Sequence, residues 1–200
     1  MIVLDIETTG LNPFKHGIVS IGALEFENPD NQFYQEAYID DEMEIDPESL
    51  AIIGFSEEYL RDQTRQTPFV LMKSFIDWME TIEDRTPAGL HVAGFDLQFL
   101  AAASDRLNLN WPLGHRSVDL HSAFYNYLKT NDPESFTLKN QRANIYGGLI
   151  QKYCGLDVIP RPHNALIDAK WEAECFSRLL YGKKLLPDFA DRPVPSYLTN

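Results

Sequence analysis

The sequence predicts a single α/β domain built on a mixed β-sheet. Strand-like runs come first along the chain, and segments with helical spacing then alternate with further strand-like runs, an order typical of one sheet covered by helices. The 200 residues, 44% of them hydrophobic, are enough for one domain with a sizeable core. We expect this domain to span residues 1–182. Residues 183–200, which contain three prolines, are expected to form an extended tail.

Four strands are predicted. Residues 2–7 and 17–26 alternate apolar positions and are separated by glycine, asparagine and proline at 10–13, residue types that favour a turn, so the two runs should form a hairpin. Residues 32–39 follow a turn-forming run at 28–31 and give a third strand. Residues 87–93 are predicted to form a buried strand.

Helices are predicted where apolar residues recur at three- and four-residue spacing. Ser56 followed by two glutamates has the pattern of a helix start. Pro68 opens a longer helix, one face of which carries Phe69, Met72, Phe75, Ile76 and Met79. Further helices are expected at 96–107, 120–128, 140–154 and 164–181. The acidic stretch at 36–48 lacks any basic side chain and is predicted to be a solvated loop.

The charge balance limits which ligands and partners the protein can bind. The chain has 17 Lys and Arg against 30 Asp and Glu, a net charge of -13, which is a poor balance for a protein that grips nucleic acid by its phosphates. The excess is uneven, however, because residues 1–138 hold 8 basic and 24 acidic side chains, whereas residues 139–200 hold 9 basic and 6 acidic ones. We therefore expect an anionic ligand to meet the C-terminal third.

The sequence also predicts a cytoplasmic protein with no membrane partner. No run approaches the ~18 uninterrupted apolar residues of a membrane span, and the N-terminus lacks the basic and apolar regions of a signal peptide. Cys154 and Cys175 lack CxxC spacing, so we expect them to be small buried hydrophobic side chains in a reducing compartment.

Asp5 and Glu7 lie two residues apart on the first predicted strand. Side chains at this spacing share one face of a strand, so two like charges would lie side by side on a half-buried surface. Such a pair is costly unless a cation neutralises it, which favours a divalent metal. The alternative is an edge strand with both carboxylates in water. Thr8, Thr9 and Gly10 continue into a turn whose backbone amides could meet a ligand.

Two further polar groups occur at predicted helix starts. Asp96 directly follows a predicted strand and begins a helix, a position at which an acid needs no further explanation. His163 precedes the last predicted helix, and Asp168 interrupts the apolar face of that helix. Because prolines flank this entry, His163 is expected in the loop, from which its imidazole can reach Asp168. Alone, this pair is explained as well by a structural role as by a functional one.

Taken in order, these elements resemble the three motifs of the DEDDh 3′-to-5′ exonuclease family. They read DxETTG from Asp5, Phe95-Asp96, and HxAxxDA from His163, and the resemblance covers about residues 1–181. It implies a ribonuclease H-like exonuclease fold, with a mixed central sheet flanked by helices. One departure is His91, which stands where the family usually has Asn and for which we expect a structural role.

The resemblance also implies the chemistry and the residues that perform it. Two divalent cations, Mg²⁺ or Mn²⁺, would lie ~3.5–4 Å apart and assist phosphodiester hydrolysis, which releases nucleoside monophosphates from a 3′ end. Their ligands would be Asp5, Glu7, Asp96 and Asp168. His163 would take the proton from the attacking water.

Substrate contacts are implied in the same way. Thr8, Thr9 and Gly10 would meet the 3′-terminal sugar, and Leu11 would wedge against the last base. Phe55 would stack on the neighbouring base, although a core position explains it equally well. The cations expected nearest the strand are Lys139, Arg142, Lys152 and Arg161.

The sequence thus predicts a metal-dependent 3′-to-5′ exonuclease that acts preferentially on single-stranded DNA ends. Trimming of RNA or of short oligoribonucleotides is the first alternative, because no residue type here reads the 2′-hydroxyl. A non-catalytic nucleic-acid-binding or polymerase-scaffold subunit is the second, and the intact set of four acids and His163 disfavours it. The acidic balance suits short or single-stranded ends, or delivery by a polymerase or another partner. A homodimer is left open.

Overall fold

A computed structural model of the chain describes residues 1–159 and 161–199. Its centre is a five-stranded sheet formed by β1 (Ile2–Thr8), β2 (Ile18–Glu25), β3 (Asn28–Glu36), β4 (Pro87–Gly89) and β5 (Val118–Asp119). The strand order is β3-β2-β1-β4-β5. β1, β2 and β3 are antiparallel neighbours, whereas β4 and β5 run parallel to β1. The predicted N-terminal hairpin and the mixed α/β sheet are therefore confirmed.

Seven helices are present in the described part of the chain: α1 (Pro47–Ile53), α2 (Glu57–Arg61), α3 (Pro68–Glu80), α4 (Asp96–Arg106), α5 (Leu120–Asn131), α6 (Gly147–Tyr153) and α7 (Ala165–Tyr181). Five of them begin at a side chain that accepts a hydrogen bond from a backbone N–H of the first turn; these N-caps are Asp46, Ser56, Thr67, Asp119 and Asn164. Across residues 1–159 and 161–199, none of the helices combines the length and the apolar character that crossing a bilayer requires.

The sheet has a hydrophobic core on each face. Along β1, Ile2, Leu4 and Ile6 pack with the apolar faces of α3 and α4. Val3 points the other way and packs with α5, α6 and α7. Because side chains alternate along a strand, Asp5 and Glu7 follow Val3 onto the face that α7 covers.

Gly22 explains how closely α7 approaches the sheet. It lies on β2, directly opposite Asp5 of β1. A Cβ added at Gly22 would lie 2.1 Å from the Leu166 backbone N and 2.2 Å from the Ala165 carbonyl carbon. Only glycine therefore allows the first turn of α7 to cross the sheet beside Asp5.

The prediction of a helix over 140–154 is wrong in its first half. Residues before α6 instead form a small separate hairpin of β6 (Leu138–Lys139) and β7 (Arg142–Ala143). The turn between these strands places Asn140 at φ 51° and Gln141 at φ 63°. This left-handed backbone breaks a right-handed helix, and asparagine tolerates it better than most residues.

Three other boundaries differ from the predictions. The third strand begins at Asn28, inside the expected turn, because a register shift next to Leu24 pairs Glu25 with Asn28. The strand expected at 87–93 ends at Gly89, two residues before His91 adopts a φ of 60°. α1 was not predicted and begins at the end of the acidic stretch, whose middle is without helix or strand as expected.

The segment after α7 packs on the domain. It contains two short 3₁₀ turns, Pro187–Phe189 and Ser196–Leu198, and it places Leu186, Phe189 and Leu198 in the core cluster beneath α7. Arg178 and Glu174, both fully buried on α7, form an ion pair of 2.7 Å with each other. Both side chains also hydrogen-bond to the backbone of the segment and so hold it in place. Buried side chains and a buried ion pair thus replace the extended tail that the prolines suggested.

Candidate active site

Asp5 and Glu7 lie on one face of β1, beneath α7. Glu7 is buried, and burial raises its pKa to about 8, with a further contribution from the negative charges of Asp168 and Asp96. Burial also raises the pKa of Asp5 well above its usual value, and the charge of Asp96 makes the largest further contribution. The charge of Glu7 also contributes to the rise at Asp5, because like charges without a neutralising partner raise the pKa of a carboxyl group. The edge-strand alternative, with both carboxylates in water, is thereby excluded.

Asp96 turns towards β1 rather than capping its own helix. α4 begins after Phe95 without a side-chain cap, and the backbone N–H of Ile6 donates to Asp96 Oδ1 at 3.1 Å. Burial raises the pKa of Asp96 to about 7, although the N–H groups of Asp96 and Ile6 act in the opposite direction. An ordinary first-turn acid would face water, so the structure favours a site role for Asp96.

His163 and Asp168 meet where the chain enters α7. The backbone N–H of His163 donates to the Ile52 carbonyl at 3.0 Å, which fixes the loop. His163 Nδ1 lies 3.0 Å from Asp168 Oδ2. Burial raises the pKa of Asp168 to about 6, and His163 opposes this rise. One ligand atom each from Glu7, His163 and Asp168 lies within 4.8 Å of the others.

The donor set fits a divalent cation. Glu7 Oε1 and Asp168 Oδ1 are buried, and no hydrogen-bond donor within residues 1–159 and 161–199 reaches either atom. Unpartnered buried carboxylate oxygens are costly, and hard cations such as Mg²⁺ and Mn²⁺ prefer oxygen ligands. Asp5, Glu7, Asp96 and Asp168 supply such oxygens from three elements, with His163 at the edge of the group.

Two acids near this cluster were missed by the sequence analysis. Glu172 lies one helical turn after Asp168 and so shares its face; its Oε2 accepts a hydrogen bond from Leu90 N at 3.0 Å. Burial, followed by the charge of Asp96, raises the pKa of Glu172 well above its usual value. Asp119 caps α5 beside Gly89 and also raises the pKa of Asp96. An acid on the apolar face of the last predicted helix was the available signal for Glu172.

The turn after β1 is held by its own hydroxyl groups. Thr8 Oγ1 donates to the Gly10 carbonyl at 2.7 Å. Thr9 Oγ1 donates to the Glu44 carbonyl at 2.7 Å and accepts from Gly17 N at 3.0 Å. Leu11 projects outward and is 76% exposed. Both hydroxyls are therefore already engaged in hydrogen bonds, whereas Leu11 is free to meet a ligand.

Phe55 follows α1, next to the His163 loop, and His91 follows β4. Phe55 is half-buried and stacks on Tyr59 with ring centroids 4.9 Å apart; its segment touches the His163 loop because Gly54 packs against Pro162. His91 is exposed at the end of β4, and its ring lies 4.9 Å from that of His121. The stacking of Phe55 supports an aromatic platform rather than a deep core residue.

Four carboxylates and one histidine, contributed in order by β1, the start of α4 and the start of α7, define the DEDDh class of 3′-to-5′ exonucleases. The chain belongs to the family whose model, RNase_T, is described as "Exonuclease" and matches residues 2–176.

Curated relatives agree with this assignment. The DNA polymerase III subunit epsilon of Escherichia coli is 33% identical over 193 residues, which cover 91% of this chain and 72% of the relative. The subunit of the same name from Pasteurella multocida is 34% identical over 117 residues, 54% of this chain and 43% of the relative. The chain thus spans less than half of the second relative.

Solved structures share the fold. E. coli exonuclease I in complex with a dA16 oligonucleotide has a TM-score of 0.70 at 15% identity, over 95% of this chain and 42% of that one. The nuclease domain of 3′hExo, a DEDDh family member bound to rAMP, has a TM-score of 0.67 at 18% identity, over 92% of this chain and 93% of that one. The ribonuclease H-like exonuclease fold is therefore confirmed.

Proposed function

We propose that this protein is a metal-dependent 3′-to-5′ exonuclease that releases nucleoside monophosphates, preferably from single-stranded DNA. The observation that carries the proposal is the cluster of Asp5, Glu7, Asp96 and Asp168 beside His163, in which Glu7 Oε1 and Asp168 Oδ1 are buried without a donor among the described residues. A non-catalytic scaffold subunit would have no need to retain so costly a group of like charges.

Each residue of the cluster has a defined task in this proposal. Asp5, Glu7, Asp96 and Asp168 would hold two Mg²⁺ or Mn²⁺ ions, which, when bound, activate the attacking water and neutralise charge on the phosphoryl oxygens. His163 takes the proton from the attacking water. Asp168 accepts from Nδ1 of the same imidazole and orients it. No side chain forms a covalent bond to the substrate.

The turn and the aromatic platform would position the strand. The backbone of Thr8 to Gly10 lies at the end of β1, directly after Glu7, where it can meet the 3′-terminal sugar. Leu11 is exposed for contact with the last base, and the half-buried Phe55, stacked on Tyr59, would stack on the neighbouring base. An enclosed terminal hydroxyl would make the reaction depend on a free 3′ end.

DNA is the substrate that the relatives favour. The curated relatives are named as DNA polymerase III subunits, and exonuclease I is seen with a DNA oligonucleotide. The rAMP bound to 3′hExo supports the alternative, trimming of RNA or short oligoribonucleotides. The names of the relatives also support a polymerase as the delivery partner. Nothing in the described residues favours a homodimer, and the buried, unpaired Cys154 and Cys175 suit a cytoplasmic setting.

End-labelled single-stranded DNA and RNA, incubated with Mg²⁺ or Mn²⁺, test the proposal. We expect a ladder that shortens from the 3′ end, faster for DNA, and no digestion of an otherwise identical strand with a 3′-phosphate. Asp96→Asn should be inactive, whereas Asp105→Asn, which changes an exposed acid on the same helix, should keep full activity. Cleavage of a circular strand, or equal digestion of blocked and free ends, would contradict exonuclease action.

A further inference from the structure

We propose that the basic hairpin, residues 138–146, binds the phosphate backbone of a single strand upstream of its 3′-terminal nucleotide. This inference rests on the proposed function and adds to it a second contact region outside the carboxylate cluster. The hairpin carries Lys139 and Arg142 on its two short strands and Tyr146 at its end.

The hairpin is anchored to the hydrophobic core and closed by a backbone hydrogen bond. Its base is anchored because Phe136 and Ile145 pack against the hydrophobic core. Asn144 N donates to the Thr137 carbonyl at 2.9 Å and closes it. A surface groove of about 470 Å³ lies along it, lined by Lys139, Asn140, Arg142, Ala143, Asn144, Ile145 and Tyr146. Two cations, two amides and an exposed aromatic ring thus line one groove.

The positive charge of this groove is not neutralised within the described part of the protein. Lys15, Arg65, Lys73 and Lys170 each have a carboxylate partner. Lys139 and Arg142 are exposed and form no ion pair with any residue in 1–159 or 161–199. In a chain of net charge -13, two free cations on one groove are a local binding site for an anion.

Two successive contacts connect the end of the hairpin to the helix that carries Asp168. The hairpin leads directly into α6, whose first residue, Gly147, packs against Leu90: a Cβ at Gly147 would lie 3.1 Å from Leu90 Cδ2. Leu90 N donates to Glu172 Oε2 at 3.0 Å, and Glu172 lies one helical turn after Asp168 on α7. A strand whose end lies at the cluster can therefore continue past the hairpin.

The chemistry of the groove favours a nucleic acid over an acidic peptide. Tyr146 is 55% exposed beside Lys139 and Arg142, and an aromatic ring next to cations is the combination that holds single strands, because every base offers a face for stacking. The carboxylate cluster repels phosphates, so a strand needs cations beyond it. Lys139 and Arg142 supply them without reading the base sequence.

A pair of matched double variants tests this inference. Lys139→Gln/Arg142→Gln removes both groove cations. Lys183→Gln/Lys184→Gln makes the same charge change at exposed lysines beyond the far end of α7, whose 17 residues place them about 25 Å from the His163 end. The two probes are an oligothymidylate of about 16 nucleotides and the p-nitrophenyl ester of thymidine 5′-monophosphate, which is too short to reach the hairpin.

At ~0.1 M salt we expect the groove variant to lose about 25-fold in kcat/KM on the oligonucleotide, relative to its activity on the ester. The reason is that two phosphate contacts to a single strand contribute about 1.4 to the magnitude of the slope of log affinity against log salt concentration. Binding of the oligonucleotide, measured by fluorescence anisotropy in chelator, should depend less steeply on salt concentration in the groove variant, by the same amount. The control should match wild type. An unchanged slope and unchanged relative rate, or equal losses on both probes, would overturn the inference. A failure of the proposed function would give a different result, because wild type would then hydrolyse neither probe. The salt dependence of binding would still decide whether the hairpin binds the strand.

Discussion

At the level of single residues, the cluster depends on side chains that local rules would place differently. Asp96 sits in the first turn of a helix, where an acid normally interacts with water and the helix dipole, yet it accepts a hydrogen bond from Ile6 N on the neighbouring strand. His163 similarly precedes a helix without capping it, since Asn164 is the cap. Neither residue caps the helix beside it, and each side chain instead belongs to the cluster that includes Asp5 and Glu7.

His163→Ala should lower turnover by ~10²–10⁴, because the attacking water loses its proton acceptor. Binding of Mn²⁺ should largely survive, since the four carboxylates remain. Steady-state rates on single-stranded DNA, together with melting temperatures with and without Mn²⁺, measure both effects. His115→Ala alters an exposed histidine outside the three motifs and serves as the control. Near wild-type turnover of His163→Ala would remove this residue from the proposed role.

At the level of elements, the site is assembled by the crossing of α7 over β1 and β2. The contact at Gly22 is between a strand and a helix backbone, so a side chain cannot be accommodated there by a change of rotamer. The position of Asp168 above β1 follows from this contact. The site is thus sensitive to a residue that carries no functional group.

Gly22→Ala should destabilise the protein by about 1–3 kcal/mol, because the added methyl group forces α7 away from the sheet. It should also reduce activity by moving Asp168. Urea unfolding and steady-state kinetics measure these two effects. Gly114→Ala is the matched control, since a Cβ there has no neighbour within 4 Å. If Gly22→Ala and Gly114→Ala were equally stable and active, the close approach of α7 would not be what positions Asp168.

The elements also show which parts of the fold the sequence could predict. The shared face of Asp5 and Glu7 followed from strand periodicity, and the starts at Ser56 and Pro68 followed from capping chemistry. The hairpin at 138–143 could not be predicted in this way, because its turn depends on left-handed backbone at Asn140 and Gln141. Glu172 was missed because its contact with Leu90 is between residues 82 positions apart.

At the level of the whole molecule, the cluster should control how stability depends on pH. Burial raises the pKa values of Glu7 to about 8, of Asp96 to about 7 and of Asp168 to about 6. The folded protein therefore binds protons more tightly than the unfolded chain between about pH 4 and pH 8. The contribution of these three groups to the free energy of unfolding is fully present below about pH 4 and is lost as the pH rises towards about 8.

We expect the free energy of unfolding in chelator to decrease between about pH 4 and pH 8, and saturating Mn²⁺ or Mg²⁺ to remove most of that decrease, since the ion binds the folded state only. Denaturant unfolding at several pH values measures this. Asp84, whose pKa is lowered to about 2, gives the opposite slope, but only below about pH 4.

Asp5→Ala provides the internal check. In chelator at about pH 8 this variant should be at least as stable as wild type, because one of the repelling carboxylates is gone, and Mn²⁺ should no longer stabilise it. A less stable variant that still responds to Mn²⁺ would mean that Asp5 is an ordinary structural acid.

The buried pair of Glu174 and Arg178 has a consequence for where the chain can be shortened. α7 carries Asp168 at one end and this pair further along, so the same helix serves both the carboxylate cluster and the C-terminal segment. A fragment ending at residue 182 would contain every residue of the three motifs. It would nevertheless deprive Arg178 of the carbonyls of Arg192 and Pro193, and Glu174 of the amides of Leu185 and Leu186. The Arg178 and Glu174 side chains would then have lost hydrogen-bond partners and become exposed to water, on the same helix that positions Asp168. Proteolytic removal of the segment after α7, which contains no motif residue, would therefore be a route to inactivation.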